Sequence, residues 1–415
     1  MMARGLLLAV ILLLPLMSSA ADGVIGMNQR VLTKINEAQD QMDAGDLDAA
    51  QGMLQALREN HRLSGYETAH VLNLLGYIRY ERDDFIGARA LYEEALSQRR
   101  VPESLQASLR QTLGQIALAQ EDYTLAREQF ELLIDMRDHD NGNNRVLLAS
   151  ALFGQADYDN ALTHLSKAIG EARSNGGSPP ENWLSMLASV HYEREDFVAM
   201  RRVMEYLVSL YPRDHHLMNL AALHGQLGDT ERQLSLVEAL MDDGRLQREQ
   251  HLRMLASLFM ALDLPYKAAK LLEQELADGR LEASTDNLEQ LSQAWFLAED
   301  TERAIPPLER AAAQSRDGKL YLRVARLYMD GYQWDAAAKA AEEARRRGSL
   351  DRVGETWLIE GMAMARMKKL TEARSLFERA SSFDETSAYA EQWLTFVDSQ
   401  RQRDRVLGGS TGGGN

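Results

Sequence analysis

No cysteine occurs among the 415 residues. Disulfides, thiolate nucleophiles and cysteine metal sites are therefore excluded. So is lipid attachment to a cysteine behind the N-terminal apolar run. Basic residues are also few, 46 Lys and Arg against 62 Asp and Glu, for a net charge of −16. A nucleic-acid binder must neutralise phosphates, so nucleic acid is not expected as a partner. An anionic membrane surface is disfavoured by the same argument. The chain also lacks a glycine-rich phosphate cradle, a serine nucleophile elbow and an HExxH helix. No catalytic residue and no cofactor is expected, and the many scattered carboxylates single out no acid/base pair.

The first twenty residues differ from the rest. Arg4 gives a short positive region, Gly5 to Met17 is apolar apart from Pro15, and Ser18, Ser19 and Ala20 offer small residues for cleavage. This pattern reads as a cleaved secretory signal at 1–20, too short for a stable membrane span. An uncleaved anchor is the alternative. No other membrane segment follows, so a periplasmic protein with no stable membrane insertion after cleavage is expected.

What the remainder does have is a twelve-residue beat repeated ten times. A small residue is followed twelve places later by a second position, usually alanine. The pairs are Ala38/Ala50, Gly76/Ala88, Gly114/Ala126, Ala149/Ala161, Ala188/Met200, Ala221/Gln233, Ala256/Ala268, Ser292/Ala304, Ala325/Ala337 and Gly361/Ala373. Successive beats start 33 to 39 residues apart, the period of paired-helix repeats. Two helices approach closely only where no long side chain intervenes, so crossing points select Gly, Ala or Ser. Larger residues such as Phe85, Tyr123 and Trp334 stand three places before the second small position and plug the turn. Apolar residues such as Leu54, Tyr92, Phe130 and Phe377 follow four places after it, on one helix face.

With Leu75-Gly76, Phe85, Ala88, Tyr92 and Ala95 as its best copy, the chain resembles an array of tetratricopeptide repeats. The resemblance implies an all-α superhelical solenoid of about ten helix pairs at 31–405, including a C-terminal capping helix. That helix places Tyr389, Trp393, Phe396 and Val397 on one face, and a glycine-rich tail at 406–415 should be disordered. The longest interruption is Arg173 to Pro180, where Ser178, two prolines and Glu181 read as a helix start. Pro306 and Pro307 should make their helix begin late or kink. Gln233, Thr230 and Pro265 depart from the pattern and mark the middle as the place for bending.

The family mostly binds other proteins in a concave groove lined by the second, fifth, ninth and twelfth positions of each first helix. In the best unit these are His70, Asn73, Tyr77 and Tyr80, whose rings offer contact area to a peptide. Lys319, Arg323 and Arg326 form a basic face suited to an acidic partner segment. Asp138 to Asn144 is too irregular for a calcium loop, since Ala149 stands where a bidentate glutamate belongs. His215 and His216 would need partners supplied by folding, and adjacent helical residues diverge, so no metal is expected.

Five stretches carry a closer resemblance: Leu72–Tyr80, Pro180–Trp183, Leu264–Leu272, Ala304–Leu308, and Gly354–Trp357 with Gly361–Ala363. They are similar to periplasmic repeat proteins associated with TonB–ExbB–ExbD systems. This implies a protein-binding scaffold accessory to TonB-dependent uptake, with a TonB-type transducer or its receptor as partner. A scaffold for outer-membrane assembly or polysaccharide export is the alternative, and an envelope enzyme the competing class.

Overall fold

The computed structural model describes residues 26–60 and 62–409. The expected export signal at 1–20 and the tail beyond residue 409 lie outside them. Among the described residues there are 21 helices and no strand. They divide between two compact units, one ending at His216 and the other starting at Leu217.

The first unit holds the pairs α1 (Gln29–Asp43) and α2 (Leu47–Asn60), α3 (Gly65–Glu81) and α4 (Phe85–Leu96), and α5 (Glu103–Ala119) and α6 (Tyr123–Ile134). It continues with α7 (Gly142–Gly154) and α8 (Tyr158–Ser174), α9 (Glu181–Glu193) and α10 (Phe197–Leu210), and the first residues of α11 (Asp214–Gln226). The second unit contains the rest of α11 with α12 (Thr230–Asp242), α13 (Glu249–Ala261) and α14 (Pro265–Ala277), and α15 (Thr285–Leu297) and α16 (Thr301–Gln314). It ends with α17 (Lys319–Asp330) and α18 (Trp334–Arg347), α19 (Val353–Arg366) and α20 (Leu370–Ala380), and α21 (Ser387–Gly409). None of these helices is long and apolar enough to cross a membrane.

The small residues of the beat lie where the sequence places them. Ala38, Ala50, Ala88, Ala126, Ala149, Ala161, Ala256, Ala268, Ala325, Ala337 and Ala373 are wholly buried. The structure adds a coupling. A Cβ built on Gly76, Gly114 or Gly361 would come within 3.0, 2.6 or 2.7 Å of the ring of Tyr92, Phe130 or Phe377. Each ring stands sixteen places after its glycine. Where that later residue is Leu54, Leu165, Leu272 or Leu308, the crossing residue is Ala38, Ala149, Ala256 or Ser292. Interiors pack near crystal density, so an aromatic on one helix is accommodated by a missing methyl on the other. The irregular sixth repeat is relieved in a related way. Gly225 leaves room for Gln233, whose Oε1 would otherwise meet a Cβ at 2.3 Å.

Each pair turns through a residue in the left-handed region, at Gly45, Asp83, Glu121, Ala156, Glu195, Gly228, Asp263, Glu299, Tyr332 and Lys368. Only two of the ten are glycine, so eight turns carry a backbone strain that helix packing offsets. An aspartate usually follows and caps the second helix. Asp46, Asp84, Asp122, Asp157, Asp196, Asp229 and Asp300 each accept the N–H three residues on. Part of the acidic excess is thus helix-capping charge.

Glu67 shows how one carboxylate joins neighbouring pairs. Its Oε1 accepts the Asn28 N–H and its Oε2 the Ser64 N–H, both at 2.7 Å. The Ser64 hydroxyl accepts in return from Glu67, closing a capping box at α3. Burial alone would raise this carboxyl, but the Ser64 and Asn28 N–H groups outweigh it and hold it below its ordinary value. Glu67→Gln is expected to cost about 1.5–3 kcal/mol at neutral pH, the range for hydrogen bonds to a charged group. A carboxyl with a lowered folded pKa contributes stability above its unfolded value and loses it as the pH falls through the folded one. Denaturant midpoints of wild type and variant should therefore converge below pH 4.5.

Four expectations are corrected. The cap of α9 is Pro180 in extended conformation, and Ser178 plays no part in it. Helix α16 does not begin late: it starts in register at Thr301 and includes both prolines. The carbonyls that lose donors belong to Glu302 and Arg303, both exposed. On α21 the inward stripe is Ala390, Trp393, Leu394 and Val397, whereas Tyr389 and Phe396 are exposed. The same helix continues to Gly409, so residues 406–409 extend it.

Candidate functional site

The side chains of the tyrosine patch on α3 are all half-buried, and both tyrosines are engaged by neighbouring residues. Tyr80 meets Phe85 edge-on, with centroids 5.5 Å apart, and packs on the cluster that contains Tyr92. It therefore helps plug the α3–α4 turn. Tyr77 is half-buried. Burial and the neighbouring Glu81 carboxylate, to which it donates a hydrogen bond, raise its hydroxyl above the ordinary value. Burial lowers the His70 imidazole and keeps it neutral, and its Nδ1 has no hydrogen-bond partner among the described residues. Asn73 remains half-buried at the surface.

The basic face is neutralised by carboxylates from adjacent helices and from the segment between α18 and α19. Lys319 pairs with Asp351 at 2.9 Å, and Arg323 with Glu289. Arg326 makes two 2.7 Å bonds to Glu355. One carboxylate engages Nε and Nη2 of this planar guanidinium together and neutralises its charge. The charges expected to dock an acidic segment are thus already paired within the protein.

A groove opens instead between α13 and α15. It encloses about 580 Å³ and is lined by Gln250, Arg253, Ser257 and Met260 on α13 and by Asp286, Glu289 and Gln293 on α15. Those on α13 are the second, fifth, ninth and twelfth residues of their unit, and those on α15 the second, fifth and ninth. Gln290 forms part of the wall, donating from Nε2 to the Arg253 carbonyl at 3.2 Å and the Ser257 hydroxyl at 2.9 Å. Its Oε1 is buried and has no hydrogen-bond partner among the described residues. A desolvated acceptor left unpaired is costly, so a shift of this side chain that brought Oε1 into the groove would gain by meeting a donor. Met254 and Met260 add adaptable apolar surface beneath it.

A family model described as the tetratricopeptide repeat matches residues 67–139, and a second of the same description matches residues 111–179 and 322–388. Residues 67–179 and 322–388 are tetratricopeptide repeats. The chain is similar to a tetratricopeptide repeat protein of Parabacteroides merdae, at 16% identity over 73% of this chain and 100% of that one, with a TM-score of 0.41. The C-terminal part of a repeat protein from Cytophaga hutchinsonii is 14% identical over 67% and 94% of the two chains, with a TM-score of 0.42. The yeast Sti1 TPR2AB domain, solved in complex with pHSP90, is 13% identical over 67% and 99%, with a TM-score of 0.35. No curated protein matches the chain.

The groove of this repeat protein was open to the same positional rule that selected His70, Asn73, Tyr77 and Tyr80. Weighting aromatic side chains pointed to α3 instead, although aromatics in these repeats also plug turns. The pairing of the cations on α17 depends on Asp351, Glu289 and Glu355, which lie 29 to 34 residues from their partners in sequence. One group of three metal-ligating side chains also comes together among the described residues: Glu181, His215 and His216.

Proposed function

We propose that the chain is a non-catalytic scaffold that grips an extended segment of a partner protein in the α13–α15 groove. The carrying observation is a polar channel built from the recurrent groove positions, with the Gln290 side chain in its wall and its buried Oε1 without a partner among the described residues. Extended backbone supplies N–H donors at regular intervals, and Gln250, Ser257 and Gln293 can exchange hydrogen bonds with it. Arg253 and Asp286 add one charge of each sign. The apolar stretch at Gly5 to Met17 supports a periplasmic setting. The five stretches similar to periplasmic proteins of TonB–ExbB–ExbD systems support a transducer or its receptor as the partner.

Arg253→Ala combined with Gln293→Ala is expected to weaken binding to the periplasmic part of a TonB-type transducer by about 2 kcal/mol, the hot-spot range. Both side chains are exposed, so helix content should be unchanged by circular dichroism. Equal affinity of variant and wild type would remove the groove from the reading. Absence of wild-type binding to transducer and receptor alike would remove the TonB context.

A further inference from the structure

We propose that Glu181, His215 and His216 form a binding site for a divalent transition metal, zinc foremost, where α9 and α11 begin. Adjacent histidines in mid-helix diverge, but these two occupy the second and third positions of α11. Their ring centroids lie 3.9 Å apart with the planes inclined by 49°. The repeat then returns Glu181, 35 residues earlier, to the same place. One ligand atom from each of the three lies within 4.8 Å of the others.

The donor set suits zinc. Two imidazole nitrogens and one carboxylate oxygen make a three-ligand arrangement that leaves the fourth position to water. The Nε2 of His216 is 2.9 Å from the Oε1 of Glu181, a hydrogen bond whose shared proton the metal would replace. His216 is 5% exposed and fixed in place, whereas His215 is exposed and free to rotate its ring toward the other two. The second carboxylate oxygen of Glu181 is held by Arg213 at 2.7 Å. Monodentate coordination through Oε1 leaves that bond intact, and Arg213 then orients the ligating carboxylate from behind. The Arg213 charge and the positive ends of the two helices oppose a cation. The site should accordingly bind more weakly than a closed structural zinc centre. A bound ion would pin the first turn of α11 to that of α9.

The test is calorimetric titration of zinc chloride into the full chain, free of any histidine tag, followed by cobalt absorption spectroscopy. The expected result is one zinc per chain and a cobalt visible band of low-coordinate type. His215→Ala and Glu181→Gln should each weaken zinc binding by about tenfold or more. His139→Ala, remote from the cluster, should not. His215 is exposed, so its removal leaves folding untouched and keeps the test decisive if Glu181→Gln perturbs the chain. No zinc uptake by the wild type, or uptake unchanged in His215→Ala, would overturn the proposal.

Discussion

Replacing Gly114 by leucine is expected to destabilise the first unit by at least the ~1–3 kcal/mol typical of overpacking, and alanine by a smaller amount in that range. A Cβ at this position would sit 2.6 Å from Cε1 of Phe130, itself wholly buried among other core side chains. A separation that short forces a shift of a side chain that has no free direction in which to move. The informative comparison is the double variant Gly114→Ala with Phe130→Leu, which recreates the Ala149/Leu165 combination of the next repeat. Phe130→Leu alone leaves a void, and Gly114→Ala alone creates a clash. The double variant should recover most of both losses, an interaction energy of about 0.5–3 kcal/mol in a double-mutant cycle. Strict additivity in chemical unfolding would show that the glycine–aromatic coupling does not govern the crossing.

The second large effect is expected at the cap. Val397 is wholly buried, and the Trp393 ring stacks on Phe377 with centroids 5.5 Å apart. Helix α21 thereby covers the face that α20 would otherwise expose, and Thr386 ties its start to the Ala380 carbonyl at 2.7 Å. Val397→Asp would place an unpaired charge in that interface. The effective penalty of such burial is several kcal/mol, enough to detach the helix. Because a linear array is stabilised between neighbours, losing the cap should fray α19 and α20 while distant pairs persist. Hydrogen exchange should show protection lost in residues 353–397 and retained in α13–α16. Tyr389→Asp, on the exposed side of the same helix, should change little. Equal effects of the two substitutions would contradict the assigned inward face.

Much of the fold was legible because steric demands repeat. Ten crossing points need small residues at a fixed separation, and that requirement is written directly into the sequence. The functional surface is less legible because exposed positions obey no packing rule. Tyr77 and Tyr80 look alike in sequence, yet Tyr80 lies against Phe85 and Tyr77 bonds to Glu81. Lys319, Arg323 and Arg326 look like a basic face until Asp351, Glu289 and Glu355 arrive from other parts of the chain.

By itself, the sequence determined the all-α repeat, the register of its pairs and the identity of the buried small residues, because these follow from local spacing and side-chain volume. It also excluded cysteine chemistry, and its acidic balance disfavours a phosphate-binding surface. Only the tertiary structure decided which charges are already paired, which groove carries an unpaired Gln290 acceptor, and that Glu181 joins His215 and His216. It also revealed the left-handed turns at residues such as Glu121 and Glu195, where no glycine announces them. Each of these depends on groups brought together across a turn or between consecutive repeats, and local spacing does not encode where such side chains meet.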